Sequence, residues 1–313
     1  MLSIFLGMVL GAAAAVPAVS EIEAPGPDGP LKGTMVLPAR DAPIVLIIPG
    51  SGPTDRDGNS PIGVSAGTYR LLAGELAERG IGSVRIDKRG MFGSGDAVSD
   101  ANAVMIDDYV RDVGAWTKAV RAATGRGCIW LLGHSEGGLV ALSASAKVDD
   151  ICGLILLSTA GRPLGEVLKE QLRANPANKP LLETAEQAID ELSAGRRVDV
   201  SDMPPALAAL FNPSAQGYLI SVLALDPANL AAASKHRMLI LQGDRDLQVS
   251  TSDAERLKAA APRATLVHLP NANHVLKSVS SDERNENLAT YGAVDVPLAA
   301  GLTDTIVRFV TSQ

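Results

Sequence analysis

The sequence predicts an α/β protein: a mostly parallel central sheet that starts with an antiparallel hairpin and carries helices on both faces. Three observations predict it. Short apolar runs without polar alternation, such as Ile44–Ile48 and residues 128–132, recur between segments with helical spacing. Strands of that kind are buried on both faces of a parallel sheet. A Pro/Gly-punctuated segment precedes them and reads as a hairpin turning at Gly26-Pro27-Asp28-Gly29. Finally, Gly133-His134-Ser135-Glu136-Gly137 joins an apolar run to a small-residue helical stretch. In that strand–turn–helix setting, G-x-S-x-G exposes a strained serine at a sharp turn.

The elements follow in order. Residues 32–37 form the returning strand of the hairpin, and Ile44–Ile48 a buried strand. Residues 66–79 read as a helix with Tyr69, Leu72 (or Leu71) and Leu76 on one face. Gly82–Ile86 is the next strand. Residues 107–123 place Tyr109, Val113, Trp116 and Val120 at helical spacing. A strand at 128–132, a helix at 137–146 and a strand at 154–157 come next. Strands at 238–241 and Thr265–Leu269 flank a helix at 253–260, and a last helix covers 303–310.

Between residues 157 and 238 nothing reads as a strand. The stretch is rich in Leu, Ala, Glu and Gln and is broken by Pro176, Pro180, Pro204, Pro205, Pro213 and Pro227. Several short helices inserted between two core strands would overhang the carboxyl ends of the sheet, where open α/β sheets bind ligands. The chain therefore divides into a core of residues 21–161 and 235–313 and a helical cap of residues 162–234, placed before the strand that leads to the acid. Leu207, Leu210, Phe211, Tyr218, Leu219, Val222 and Leu223 could line an acyl or aryl pocket. Taken singly, each is expected to pack cap on core.

A length of 313 residues allows a large core, and 46% hydrophobic with 20% charged residues marks a globular chain. The net charge of −7, without a block of like sign, argues against nucleic acid or an anionic membrane as partner. Residues 1–15 are nearly all apolar and lack acid, Lys and Arg. That run is too short for a mature membrane span but suits a signal peptide over residues 1–20, with Ala18-Val19-Ser20 as cleavage site. The expectation is export, with an N-terminal membrane tether as the alternative. Cys128 and Cys152 each start an apolar run. Their strands could be neighbours and an exported protein could oxidise them, but few cross-strand parallel pairs have disulfide geometry, so two buried reduced thiols are expected, with a disulfide as the alternative. No Cys/His cluster suggests zinc, and no metal or organic cofactor is implied.

A serine hydroxyl needs a base to take its proton and a third group to orient the base. Of the four histidines, His134 lies inside the tight turn, His236 at the opposite end of a strand, and His268 within an apolar strand, where it is expected to be packed. His274 follows that strand at the carboxyl edge and is the expected base. The acid is expected between serine and histidine in chain order. Asp246, in Gln242-Gly243-Asp244-Arg245-Asp246, is preferred to Asp244, which would brace the loop or pair with Arg245. The expected oxyanion donors are the backbone N–H of Glu136 and that of Ser51, with Gly52 as the alternative, from the loop after Ile44–Ile48. The Glu136 side chain is expected to point to solvent rather than to repel anionic acyl groups.

Together these features resemble the α/β-hydrolase superfamily over nearly the whole mature chain. Asp87-Lys88-Arg89-Gly90-Met91-Phe92-Gly93-Ser94 is similar to that family's D-x-R-G-x-G-x-S segment, stretched by one residue. The resemblance implies a structural role there and no chemistry. Pro49-Gly50-Ser51-Gly52-Pro53-Thr54-Asp55-Arg56-Asp57-Gly58-Asn59 resembles the G-S-G-P-x-D-R-D-G-N oxyanion loop of capped bacterial serine carboxylesterases. Pro49-Gly50 stands where the family usually has His-Gly. Asp55, Arg56 and Asp57 are expected to brace this loop rather than touch substrate. The resemblance implies hydrolysis of small-molecule carboxylic esters, of small or medium acyl length, through an acyl-enzyme on Ser135. Amide, peptide, thioester or lactone hydrolysis uses the same machinery. A binding protein that has lost catalysis is a remote alternative.

Overall fold

The computed structural model describes residues 16–281 and 283–312. The hairpin forms as its turn residues require: β1 (Ala18–Pro25) and β2 (Pro30–Leu37) pair antiparallel, Pro25 opposite Pro30. Then β3 (Ile44–Ile48), β4 (Gly82–Ile86), β5 (Ile129–His134), β6 (Ile151–Leu157), β7 (Met238–Gly243) and β8 (Thr265–Leu269) run parallel. The spatial order is β1-β2-β4-β3-β5-β6-β7-β8, and β2 meets β4 antiparallel. All strands from β3 onward therefore end at one edge.

Side chains alternate across a strand, so a continuous apolar run feeds two cores at once. Leu46, Ile48, Leu131, Leu154 and Leu156 pack with α2 (Ile106–Thr124), α3 (Glu136–Ala144) and α9 (Thr251–Ala260) on one face. Val45, Ile47, Leu132, Ile155 and Leu157 pack with α1 (Thr68–Glu78) and α11 (Leu302–Thr311) on the other. Five helices lie between β6 and β7, in the stretch where no strand was expected. They are α4 (Leu164–Arg173), α5 (Leu182–Ser193), α6 (Pro205–Leu210), α7 (Gln216–Leu223) and α8 (Pro227–Ala233). A further helix, α10 (Arg284–Ala289), lies in a stretch that carries no strong apolar periodicity.

One expectation is overturned. Cys128 and Cys152 form a disulfide, with their Cα atoms 5.1 Å apart. The register between β5 and β6 shifts at Ile129 and Trp130. Cys128 precedes β5 while Cys152 lies inside β6, so the pair sits where the ladder is irregular, and a regular parallel register does not apply. Most of the signal peptide expected over residues 1–20 lies outside the described residues. Ala18, Val19 and Ser20 open β1, opposite Leu37, Val36 and Met35.

Candidate active site

Ser135 stands between β5 and α3 with φ 55° and ψ −120°, a conformation that a non-glycine residue holds only under strong local constraint. The constraint is visible in the flanking glycines. A Cβ on Gly133 would lie 2.2 Å from the Gly137 carbonyl oxygen, and one on Gly137 would lie 2.2 Å from that of Ile48. Only glycine allows both approaches, which is why the pentapeptide reads as it does. The Ser135 N–H donates to the Leu157 carbonyl at 2.8 Å, tying the turn to β6.

Asp246 follows β7 and His274 follows β8, so the topology brings both to the edge where Ser135 sits. The Asp246 side chain is fully buried and His274 nearly so. His274 Nδ1 donates to Asp246 Oδ2 at 2.9 Å and lies 3.1 Å from Oδ1. Because a carboxylate only accepts, the proton is on Nδ1 and Nε2 is left as the acceptor. Asp246 Oδ1 also accepts from the Gln248 and Val249 N–H groups, at 2.8 and 2.9 Å. Burial opposes its ionisation, but His274 and those two amides outweigh it and hold the carboxyl below its usual range. Among the described residues, no hydrogen bond joins Ser135 to His274. Both line one cavity, and such contacts often close only with substrate bound.

His134 is buried in the turn and makes two bonds. Its Nε2 lies 2.8 Å from the His274 carbonyl oxygen, which can only accept. Nε2 therefore carries the proton, and Nδ1 accepts from the Tyr69 hydroxyl at 2.8 Å. The Tyr69 oxygen in turn accepts the Gly50 N–H at 3.2 Å. Burial, then the charge of His274, pushes the His134 pKa down to about 3, so the ring is neutral at physiological pH.

The loop after β3 is held from several sides. Lys88, which follows β4, donates to the carbonyl oxygens of Gly50 and Gly52 at 2.6 and 2.7 Å. The Glu136 side chain is buried rather than in solvent, correcting the expectation for it. It accepts from Ser51 Oγ at 2.8 Å, because the first turn of α3 faces this loop and not the surface. The Ser51 N–H makes no hydrogen bond among the described residues, and Gly52 has φ 68°. Asp55, Arg56 and Asp57 form a brace. Arg56 pairs with Asp87 and Glu21, Asp57 with Arg85, and Asp55 accepts from the Asp57 and Asn59 N–H groups.

One further expectation changes. His268 is not packed, because β8 is an edge strand. Its side chain is one-third exposed and bridges Asp244, at 2.8 Å, and Glu255, at 3.1 Å. Asp244 thus ties the loop after β7 to β8 through His268, the bracing role that was one of the two expected of it. Lys88, Tyr69 and the anchoring role of His134 escaped the sequence reading. Their signal was position: each belongs to an element whose carboxyl edge or face meets the serine, but nothing in the spacing names a partner.

Above Ser135 lies a cavity of about 500 Å³, within the range of small-molecule sites. Glu136, His274 and the loop 50–52 form its polar wall. Leu164, Val167 and Leu168 of α4 and Tyr218, Leu219 and Val222 of α7 form much of its apolar wall. Of the insertion residues singled out in the sequence, Leu210, Tyr218, Leu219 and Val222 line it, whereas Leu207, Phe211 and Leu223 are core. Glu186, Asp190 and Glu191 of α5 pair with Arg173, Lys169 and Arg196, and neither they nor Glu183 of the same helix line it.

Comparison with known proteins agrees with this architecture. Esterase EstD of Thermotoga maritima is 26% identical over 229 residues, which is 72% of this chain and 52% of the relative. The chain thus spans about half the length of that curated relative. Est1E of Butyrivibrio proteoclasticus superposes with a TM-score of 0.56 at 16% identity, over 93% of this chain and 99% of the other. The Pyrococcus furiosus esterase Pf2001 does so with a TM-score of 0.56 at 16% identity, over 83% and 84%. The family model described as serine aminopeptidase, S33 (Hydrolase_4) matches residues 62–278, from the loop after β3 to the segment just past His274. The chain belongs to that family, on the α/β-hydrolase fold.

Proposed function

We propose that the protein is a serine hydrolase of carboxylic esters. The observation that carries the reading is the Asp246–His274 pair, with His274 Nε2 left as an acceptor in the cavity that Ser135 lines. Ser135 Oγ attacks the ester carbonyl while His274 Nε2 takes its proton. Asp246 keeps the imidazole in the required tautomer and stabilises the imidazolium. Backbone N–H groups of Glu136 and of Ser51 or Gly52 receive the oxyanion. His274 then protonates the leaving alcohol, and an acyl-enzyme remains on Ser135. Water enters, His274 takes one of its protons, and the acid is released with Oγ reprotonated. The helical insertion, residues 162–234, serves as a cap whose α4 and α7 shape the acyl or alcohol pocket.

The esterase relative and the apolar cavity support esters over aminoacyl amides. An aminopeptidase would need a free acidic clamp for the substrate ammonium. The α5 acids that pair with Arg173, Lys169 and Arg196 do not supply one. The test is Ser135→Ala assayed with a short-chain nitrophenyl ester, beside a fluorogenic panel of esters and aminoacyl amides. Retention of most of the esterase activity by the variant ends the assignment. We also propose export, as the apolar N-terminus and the Cys128–Cys152 disulfide both suit an oxidising compartment. A reporter fused after residue 20 tests it: export-dependent activity is expected, and a cytosolic reporter overturns it.

A further inference from the structure

Lys88 is a costly residue to keep where it is. It is 6% exposed, and among the described residues no carboxylate lies within ion-pair distance of it. A buried cation without a partner costs several kcal/mol unless other groups satisfy it. Its Nζ is satisfied by the Gly50 and Gly52 carbonyls and lies 5.6 Å from the centroid of the Tyr109 ring. Burial pushes its pKa down, and the nearby charge of Glu136 works the other way. A group held at such cost is well placed to hold something else.

Of the two peptide planes it holds, that of Gly50 and Ser51 matters here. No peptide bond among the described residues is cis, so the Gly50 carbonyl and the Ser51 N–H point in opposite directions in a single plane. Fixing the Gly50 oxygen therefore fixes the direction of the Ser51 N–H. The other side of Gly50 is fixed by Tyr69, which takes the Gly50 N–H. The Ser51 side chain is turned onto Glu136, so its hydroxyl does not compete for its own amide. The Gly50 position is against the nucleophile: a Cβ built there would be 3.2 Å from the Ser135 Cβ.

Resting on the proposed ester hydrolysis, we infer that Lys88 is a positioning residue of the oxyanion hole. It aims the Ser51 N–H, and not that of Gly52, at the oxyanion by gripping the other end of the same peptide. The cation lies behind the loop, so its charge also favours negative charge building up in front of it.

The experiment uses the full chain with a nitrophenyl butyrate substrate and an alkyl trifluoromethyl ketone, which forms a tetrahedral anionic adduct on a nucleophilic serine. Lys88→Met should lower kcat by about 10²-fold or more, with KM within about threefold and the ketone affinity falling in parallel with kcat. Lys88→Arg, which keeps the cation and donors, should recover part of both. A Lys88→Met protein with kcat within threefold of wild type overturns the inference. So does one that loses kcat while the ketone binds as before. Should the variants fail to fold, wild-type protein with ¹⁵N-labelled serine and glycine decides. The ketone should move the Ser51 amide proton downfield, and a shift at Gly52 instead overturns the assignment. Absence of wild-type hydrolysis and of any ketone adduct would be a failure of the esterase reading itself. Normal wild-type turnover with an indifferent Lys88→Met sinks only the role of Lys88.

Discussion

The side chain of His134 is hydrogen-bonded to the backbone of His274: Nε2 of the one donates to the carbonyl oxygen of the other at 2.8 Å. The residue before Ser135 thus fixes the main chain from which the second imidazole springs. The bond requires a neutral His134 with its proton on Nε2, since Nδ1 is occupied by the Tyr69 hydroxyl. Protonating Nδ1 would set two N–H and O–H donors against each other in a buried site.

That requirement has a pH signature. The folded pKa of His134 is about 3, below the unfolded value of about 6.5. As pH falls through 6.5 the unfolded chain takes up the proton first, so stability falls. The loss continues down to about pH 3 with a limiting slope of about 1.4 kcal/mol per pH unit from this group. Above pH 6.5 the group contributes no pH dependence. Chemical unfolding of wild type and His134→Gln between pH 7 and 4 checks this. The variant should be less stable at pH 7 and show a shallower decline; equal slopes would refute the account.

Asp246→Asn should be close to inactive while folding normally. The Asn Oδ1 would keep the Gln248 and Val249 amide bonds that Oδ1 of Asp246 accepts. Its NH₂ would then face His274 Nδ1, which must become the acceptor. The ring proton moves to Nε2, and the base can no longer accept from Ser135. A loss of about 10³–10⁴-fold in kcat is expected, with KM little changed. Steady-state kinetics on a nitrophenyl ester measures it, and a loss under tenfold would contradict the tautomer argument.

How much of this was legible in the sequence follows from what each feature depends on. The strands were legible because burial on both faces leaves apolar runs such as Ile44–Ile48 and Gly82–Ile86, whose bounds match the structure. That Asp246 and His274 come together beside a cavity lined by Ser135 was legible because each of the three follows a parallel strand and so reaches the same sheet edge. The disulfide was not, because the register irregularity at Ile129 and Trp130 that admits it is a tertiary fact. The Lys88 grip and the burial of Glu136 were invisible for a related reason. Each depends on how segments following two different strands converge, and no local period records that. His268 was misplaced because an apolar run does not say whether its strand lies at the edge or the centre.

The Cys128–Cys152 bond closes a loop with a sequence separation of 24. Restricting the unfolded chain over a loop of that length stabilises the fold by about 3.5 kcal/mol on the chain-entropy model. Cys128→Ser with Cys152→Ser should therefore lower Tm by roughly 5–10 °C. Because Cys128 and Cys152 lie at the starting ends of β5 and β6, opposite the sheet edge that carries the cavity, kcat/KM at 25 °C should be nearly unchanged. Scanning calorimetry of oxidised wild type and the double variant tests the first part. A Tm within a degree of wild type would show that the bond does not constrain the unfolded state.

The cavity sets the last expectation. On the ester reading, its apolar wall would remove an acyl or alkyl chain from water, which is worth about 0.8 kcal/mol per buried methylene, or up to about fourfold in kcat/KM. Across nitrophenyl esters of increasing acyl length kcat/KM should rise, then level once the chain fills the 500 Å³ available. Leu219 on α7 lines that wall but belongs only to the fringe of the core. Leu219→Trp therefore fills space without disturbing the sheet, and should move the plateau to a shorter chain while leaving the acetate ester within about twofold of wild type. A uniform loss for all lengths would mean that the substitution disturbs Ser135 or His274 rather than the pocket. No change at any length would mean that the chain runs elsewhere, along the part of the lining that Ile62 and Val64 supply.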